Sequence, residues 1–597
     1  MDMIARLFGI RLVILLLAAL LLAACQSPAG LPPVQPETSA PAPTAGQADA
    51  GELFAELADE IFRYHVTSDT LTLHFKIADP ENYSIDDIAP TLGRVDAESS
   101  NEYNLQVLSW LDTLRAFPYY ELSENDRITY DVLLWYLGDS AAYRGFDHYG
   151  DMLFPTTGIQ AILPILMVEY AFRKEKDIIS YLGLLSDLGR YFGDIVTYQQ
   201  EKSAAGLFMA DRALDSVIEQ CEALIEDEDG HFVVATFDSK IDALDFLTDE
   251  QKADYKAENL AAVHAHFFPA YQLLIDGLEE LRGTGQNEDG LYYFPNGKEY
   301  YALAMKSESE SEKSADEIKN IAFAQFEADM DAFFALLGGG GDFAEELASL
   351  SIDTSEPTSI MEQLRQDMLA DFPPLPDVNY EVKKVEPSME GRLSPAFFLI
   401  PPIDLLTENV IYFDPTDSMF DDGTMFFSTM AHEGFPGHLY QTVYSGLSEL
   451  DNVRHIFNAP AYSEGWATLA ELYSFDYLGL NPETAELLKL EKLLDLGLSA
   501  ILDIMVHYEG WTITEAGEFL GGFGYDDPDL VDDFYQYIIA HPAIYLKYYL
   551  GYIGMAELRG KIEAERGDAF SSVDFHDKIL SFGPAPFSVL EKYLLGA

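Results

Sequence analysis

Cysteine is almost missing from this chain: 597 residues contain two, Cys25 and Cys221. Cys25 lies at the end of an N-terminal targeting segment, which leaves Cys221 alone; no intrachain disulfide is expected. Cys221 sits in an amphipathic stretch and reads as a small core residue rather than a nucleophile. Basic residues are scarce too, with 35 Lys and Arg against 102 Asp and Glu and a net charge of −67. Such a chain repels polyanions, which excludes a nucleic-acid role. A basic substrate would suit this charge, but a generally acidic surface explains it more simply. Beyond the N-terminal leader no segment approaches 18 uncharged apolar residues, so no later membrane span is expected. No G-x-S-x-G elbow is present, which weakens an esterase reading. The glycine run Gly338–Gly341 is followed by no Lys-Ser/Thr and reads as a helix-ending loop, not a phosphate cradle. Carboxylates are so abundant that acidic pairs carry no information about glycoside chemistry.

What is present begins with a leader. Arg6 and Arg11 precede Leu12–Ala24, an apolar run of 13 residues, too short to span a bilayer. Leu22-Ala23-Ala24-Cys25 resembles the lipobox of bacterial lipoproteins, which implies cleavage before Cys25 and lipidation of its thiol. The chain is therefore expected to be exported and held to a membrane by that lipid, facing the cell surface or periplasm. Residues 26–50 are rich in Pro, Ala, Ser, Thr and Gly and lack aromatics, the composition of a disordered tether. The chain as a whole is 48% hydrophobic, with 38 Phe and 35 Tyr, and no second linker interrupts residues 51–597. They are expected to form one unit of two lobes, roughly 51–290 and 291–597.

The fold class is expected to be mainly α. Apolar residues recur at three- and four-residue spacing over Asn104–Phe117, Glu124–Leu137, Asp177–Ala205 and Asp211–Ile225, and Leu487–Val506 is strongly helical. Glu226–Gly230 looks like a calcium loop, but Ile225 occupies the first-ligand position, so an acidic turn is expected. His264 and His266 are two apart, face different ways and get no metal role. Glu308–Lys313 reads as a polar loop before a capping box at Ser314 and Glu317. The clearest β-prone runs are Ala396–Ile400 and Asn409–Phe413.

The chemistry concentrates between Thr424 and Glu471. Apolar helix formers lead into His432-Glu433-Gly434-Phe435-Pro436-Gly437-His438, and Glu464-Gly465-Trp466-Ala467 follows. Two imidazoles, a carboxylate beside the first and a distant carboxylate are the components of a catalytic zinc site. In such sites three ligands hold the metal and a non-ligand Glu moves the proton. Yet the histidines are six apart, not four, and an undistorted helix would place them roughly 240° from each other. Pro436 and Gly437 lie between, so the helix should kink or bulge there, which would let His438 swing back. Spacing alone leaves two readings open: a metal pair, or a buried helix histidine and an unrelated loop histidine. Glu464 and Glu471, seven apart, share a helix face.

This pattern resembles a bacterial family designated domain of unknown function 885, grouped with the gluzincin metallopeptidases, whose signature is H-E-x-x-P-G-H-H and then E-G-W-A-L-Y-x-E. The resemblance implies a large helical metallopeptidase-like fold with a small β-sheet beside the active-site helix. It implies zinc on His432, His438 and Glu464, Glu433 as general base, and Glu471 as a partner of a ligand histidine. Leu439 departs from the family, which often has histidine there. By the same likeness an edge strand would bind peptide backbone, and Asn409–Phe413 is expected to be that edge. Asp503…His507…Gly510-Trp511-Thr512 is similar to the family's D-x-G-x-H-x-x-G-W-T, with Met505 in place of Gly. Asp503 is expected to orient His507, and His507 to donate to an oxyanion. Pro542–Gly551 resembles P-x-x-x-x-x-Y-x-x-G and puts Tyr548 on the family tyrosine, a second oxyanion donor, with Tyr545 and Tyr549 as near alternatives. Tyr292–Tyr301 resembles P-N-G-x-x-Y-Y. The expected function is zinc-dependent hydrolysis of short peptides. Its rival is a non-catalytic lipoprotein using the same scaffold to bind peptide or cell wall, which would need no general base.

Overall fold

The computed structural model describes residues 49–596 except 87, 156, 227–230, 341–342, 392 and 458. The leader, Cys25, the tether as far as residue 48, most of the acidic turn and Gly341 lie outside the described residues. The fold is mainly α with one small sheet. Among the described residues no helix is long and apolar enough to cross a membrane.

Helices α1 (Ala50–Val66), α2 (Ala97–Arg115), α3 (Glu124–Ala142), α4 (Glu175–Ala205) and α5 (Asp211–Ile225) build the N-terminal half. Helix α2 starts seven residues before the apolar periodicity does, because the Asp96 side chain accepts from the Ser99 N–H at 2.7 Å and caps it. Helix α4 ends where Gly206 takes φ 73°, the left-handed closing residue that glycine adopts most readily. The site-bearing half follows: α6 (Gly297–Glu308), α7 (Gly423–Glu433), α8 (His438–Gly446), α9 (Pro460–Asp476), α10 (Pro482–His507) and α11 (Leu546–Arg566). Val132 and Tyr136 of α3 belong to the same apolar core as Met430, Phe435 and Trp466, so the two halves share interior.

The sheet has three strands, β1 (Tyr380–Lys384), β2 (Ala396–Leu399) and β3 (Asn409–Phe413), in the order β1-β3-β2. β3 pairs parallel with β1 and antiparallel with β2. Asn409–Phe413 is thus the central strand, not the edge expected from sequence. Four of its five residues are buried, whereas every residue of β2 is half-buried. The third strand escaped notice because Glu381, Lys383 and Lys384 break its apolar pattern. Alternation along the strands divides the sheet's faces. Phe397 and Tyr412 pack on the core of the N-terminal half, and Phe398, Ile411 and Phe413 on the core under α7.

Candidate functional site

The two histidines are brought together by a break between helices rather than a bulge within one. Helix α7 is capped by Asp422, whose side chain accepts from the Thr424 N–H at 2.8 Å, and it closes with Gly434 N–H on the Met430 carbonyl at 3.0 Å. Residues 434–437 form an elbow, and His438 is the first residue of α8. Inside the elbow Gly437 N–H donates to the Ala431 carbonyl at 2.9 Å and Tyr440 N–H to the Gly434 carbonyl at 3.1 Å. A Cβ on Gly437 would lie 1.8 Å from the His432 carbonyl oxygen, so only glycine lets the chain double back this closely. Trp466 fixes the outside of the turn, its indole N–H donating to the Pro436 carbonyl at 2.8 Å. The His432 and His438 rings end 4.7 Å apart and nearly perpendicular, at 85°.

Helix α9 delivers the carboxylates. Glu464 Oε2 stands 3.3 Å from His432 Nε2 and 3.2 Å from His438 Nε2, and one ligand atom from each of the three residues lies within 4.8 Å of the others. One turn-pair further along, Glu471 Oε1 accepts from His432 Nδ1 at 2.7 Å, and its other oxygen pairs with Lys492 Nζ at 2.6 Å. That bond places a proton on Nδ1 and turns Nε2 toward Glu464, the nitrogen that would be left to bind a metal. Glu464 Oε2 is buried, close to both imidazoles, and aligned with neither for a hydrogen bond. Glu464 Oε1 pairs with Lys547 Nζ at 3.3 Å. Burial opposes ionisation of Glu464, but attraction from Lys547 and His438 outweighs it and holds the carboxyl well below its ordinary range. Burial likewise lowers His432, yet Glu464 and Glu471 overcome it and lift the imidazole to about 10. A pocket that binds a proton this tightly is one that attracts positive charge. Two imidazole nitrogens and an orphaned carboxylate oxygen converging on one point fit a divalent cation.

Glu433 is buried beside this cluster. Burial raises its carboxyl above the usual range against the pull of His432 and His438, and the Phe398 backbone N–H hydrogen-bonds it. Since Phe398 belongs to β2, one of the two edges of the sheet faces the site. Tyr548 also faces it, its ring 6.1 Å from that of His432. Helices α9 and α11 meet backbone to backbone: a Cβ on Gly465 would lie 2.3 Å from the Gly551 carbonyl carbon, and one on Gly551 2.5 Å from the Ala461 carbonyl oxygen.

The sequence profile of the family described as bacterial protein of unknown function, DUF885, matches residues 85–594. The chain belongs to the DUF885 family. Two solved structures share its fold. A crystal structure from Colwellia psychrerythraea, of a protein described as a lipoprotein, has a TM-score of 0.79 at 21% identity, covering 92% of this chain and 99% of that one. A structure from Shewanella oneidensis, described as a lipoprotein of unknown function, has a TM-score of 0.63 at 16% identity, covering 91% and 99%. No protein with a curated description matches the chain in sequence.

Within this DUF885 fold most motif residues converge, and two do not. His507 is fully buried; its Nδ1 accepts from the Leu291 N–H at 2.9 Å and its Nε2 donates to the Ile538 carbonyl at 3.0 Å. Burial lowers its pKa to about 4. With both nitrogens held by backbone it has no hydrogen bond left for an oxyanion, and the expected donor role is withdrawn. Asp503 does not orient it either, lying 3.9 Å from Nε2. Instead Asp503 accepts from the Tyr301 hydroxyl at 2.6 Å and the Ala543 N–H at 2.9 Å, tying α6 to the turn that launches α11. Among the three tyrosines, Tyr549 donates to Asp329 at 2.9 Å in the core and Tyr545 packs on Phe534 and Tyr537, which leaves Tyr548 for the site.

Sequence reasoning missed Lys492, Lys547 and Glu310. Glu310 was part of a polar loop; in the fold its carboxylate is buried, accepts from the Tyr462 N–H at 2.7 Å and the Tyr136 hydroxyl at 2.6 Å, and caps the first turn of α9. No local pattern distinguishes these charges from surface ones; their partners are distant in sequence. The Glu471 contact makes a prediction. Glu471→Ala should weaken metal binding roughly 10- to 100-fold without abolishing it, as read by competition with a calibrated chelator. Unchanged affinity would show that the His432 ring is oriented by packing alone.

Proposed function

We propose that this DUF885 chain is a zinc-dependent peptidase of gluzincin type, acting on short peptides outside the cytoplasm from a lipid anchor on Cys25. The observation that carries the reading is the convergence of His432, His438 and Glu464 on one point with the buried carboxylate of Glu433 beside them. Zinc held by these three residues would supply a Lewis acid that acidifies a bound water and polarises the scissile carbonyl.

The protein's own groups account for the rest. Glu433 takes the proton of the attacking water and hands it to the leaving amine; burial, which favours its protonated form, suits it to carry that proton between the two. Tyr548 donates its phenolic hydrogen to the developing oxyanion. Glu471, braced by Lys492, keeps the lone pair of His432 Nε2 turned inward. The β2 edge offers main-chain hydrogen bonds to an extended peptide, the role that sequence had assigned to Asn409–Phe413. The two similar structures, both described as lipoproteins, support the anchored location, as does the L-A-A-C sequence.

The test is a library of short synthetic peptides incubated with the purified protein and read by mass spectrometry. Cleavage is expected, to stop on chelation and to return with added zinc. Cleavage that survives chelation would make the protein a peptidase that needs no metal; no cleavage from protein carrying about one zinc per chain would move the assignment to the peptide-binding module.

A further inference from the structure

A cavity of about 420 Å³ lies between the N-terminal half, α6 and the first turn of α11, where Lys547 lines it, large enough for part of a small ligand. Tyr143, Phe154, Phe294 and Tyr300 give its wall an aromatic part, and Glu308 and Lys547 line it where α6 ends and α11 begins. Because Lys547 is paired with Glu464, that part of the wall abuts the ligand cluster.

Most polar groups in the wall are already engaged. Lys202 and Asp151 pair with each other, His541 holds the Pro155 and Tyr537 carbonyls, and Asp289 accepts from the Tyr535 hydroxyl. Glu308 differs: it has no hydrogen bond or ion pair with any described residue. It is the last residue of α6, where the helix dipole adds negative potential. Burial raises its carboxyl to about 7; Lys547 attracts it, while Glu464 and Asp139 repel it. Lys547 is drawn to Glu464 and forms no ion pair with Glu308. The wall therefore presents a carboxylate that Lys547 attracts without pairing with it, and that no described cation contacts directly. A metal ion is a poor candidate, because the described residues contain one cluster of three ligating side chains, and Glu308 is not in it. An ammonium needs no such cage: one carboxylate suffices, with aromatic surface around the attached carbon chain.

Resting on the peptidase reading, we propose that Glu308 binds the free α-ammonium of the substrate, with the first side chain in the aromatic cavity. The protein is then an exopeptidase working from the N-terminal end of short peptides with an apolar first residue. An amine anchored on Glu308 and the reacting centre beside Lys547 set how far from the N-terminus the cut falls.

The experiment titrates three peptides into the zinc-loaded Glu433→Gln protein: Leu-Ala-Ala-Ala, its N-acetyl form, and N-acetyl-Lys-Ala-Ala-Ala. The free-amine peptide should bind roughly 10- to 100-fold more tightly than its acetylated twin, the range of one hydrogen-bonded charge. Glu308→Gln, which keeps the shape, should erase that difference and leave the acetylated peptide and the zinc content unchanged. Equal binding of the first two peptides overturns the proposal without need of any variant at Glu308. Tight binding of the acetylated lysine peptide overturns it too, since a side-chain ammonium would then be the ligand. Cleavage by the wild type of the first two peptides separates the two readings. Selective binding without cleavage keeps the amine anchor and removes the peptidase; cleavage of both at equal rates does the reverse.

Discussion

Replacing Glu433 by glutamine is expected to leave about one zinc per chain and to lower kcat/KM for a short peptide by roughly 10²- to 10⁴-fold, the contribution of a positioned general base. The substitution is nearly isosteric, and the amide oxygen can still accept from the Phe398 N–H. Glu433 is not among the three converging ligand residues, so metal content should not respond. Only the ability to take and return a proton is lost. The paired measurements are turnover and zinc stoichiometry by mass spectrometry on the same preparation. Turnover within a few-fold of the parent would remove Glu433 from the mechanism. Loss of zinc would instead make it part of the metal-binding framework.

The second large effect belongs to His438. His438→Ala should strip zinc from the protein, because two protein ligands are left where three are needed. The loss should exceed the roughly 10- to 100-fold expected for an orienting partner such as Glu471. Helix α8 has little cause to unfold: His438 is its first residue, the elbow's backbone hydrogen bonds do not use its side chain, and Leu439, Tyr440 and Val443 remain buried. Thermal unfolding of the zinc-free parent is therefore the proper reference for the variant. A parent that takes up no zinc even when supplied with it would sink the catalytic reading. A variant that keeps zinc would show that His432 and Glu464 recruit a different third ligand.

Sequence made the mainly α class legible, along with the residues that converge at the site, and for a physical reason. Long helices with apolar stripes announce themselves by period, and His432, Glu433, His438, Glu464 and Glu471 form a short list at distinctive spacing. The path of the chain was less legible. Pro436 signalled a distortion, but a complete break follows from Gly434 and Gly437, whose need for close approach shows only when the Met430 and His432 carbonyls are in place. The order of strands was hidden because β1 carries three charges in five residues. His507 was misread because a neutral histidine bonded to one backbone N–H and one backbone carbonyl and one bonded to a substrate look alike in sequence. Lys547, Lys492 and Glu308 were invisible: in a chain with 102 acidic residues, one more unpaired carboxylate is noticed only when the cavity around it is seen.

The contact between Gly465 and Gly551 has a mechanical consequence. Two helices touching through their backbones have no layer of side chains at the crossing that could deform, so α9 and α11 are expected to move as one unit carrying Glu464, Glu471, Lys547 and Tyr548. Only Lys547 of this unit lines the cavity, so on the peptidase reading proposed above its widening for a bulkier substrate falls to the other walls, among them Tyr143, Phe154, Phe294 and Tyr300. On the same reading, differences in substrate preference between relatives should be written in those walls, while the α9–α11 unit keeps its shape.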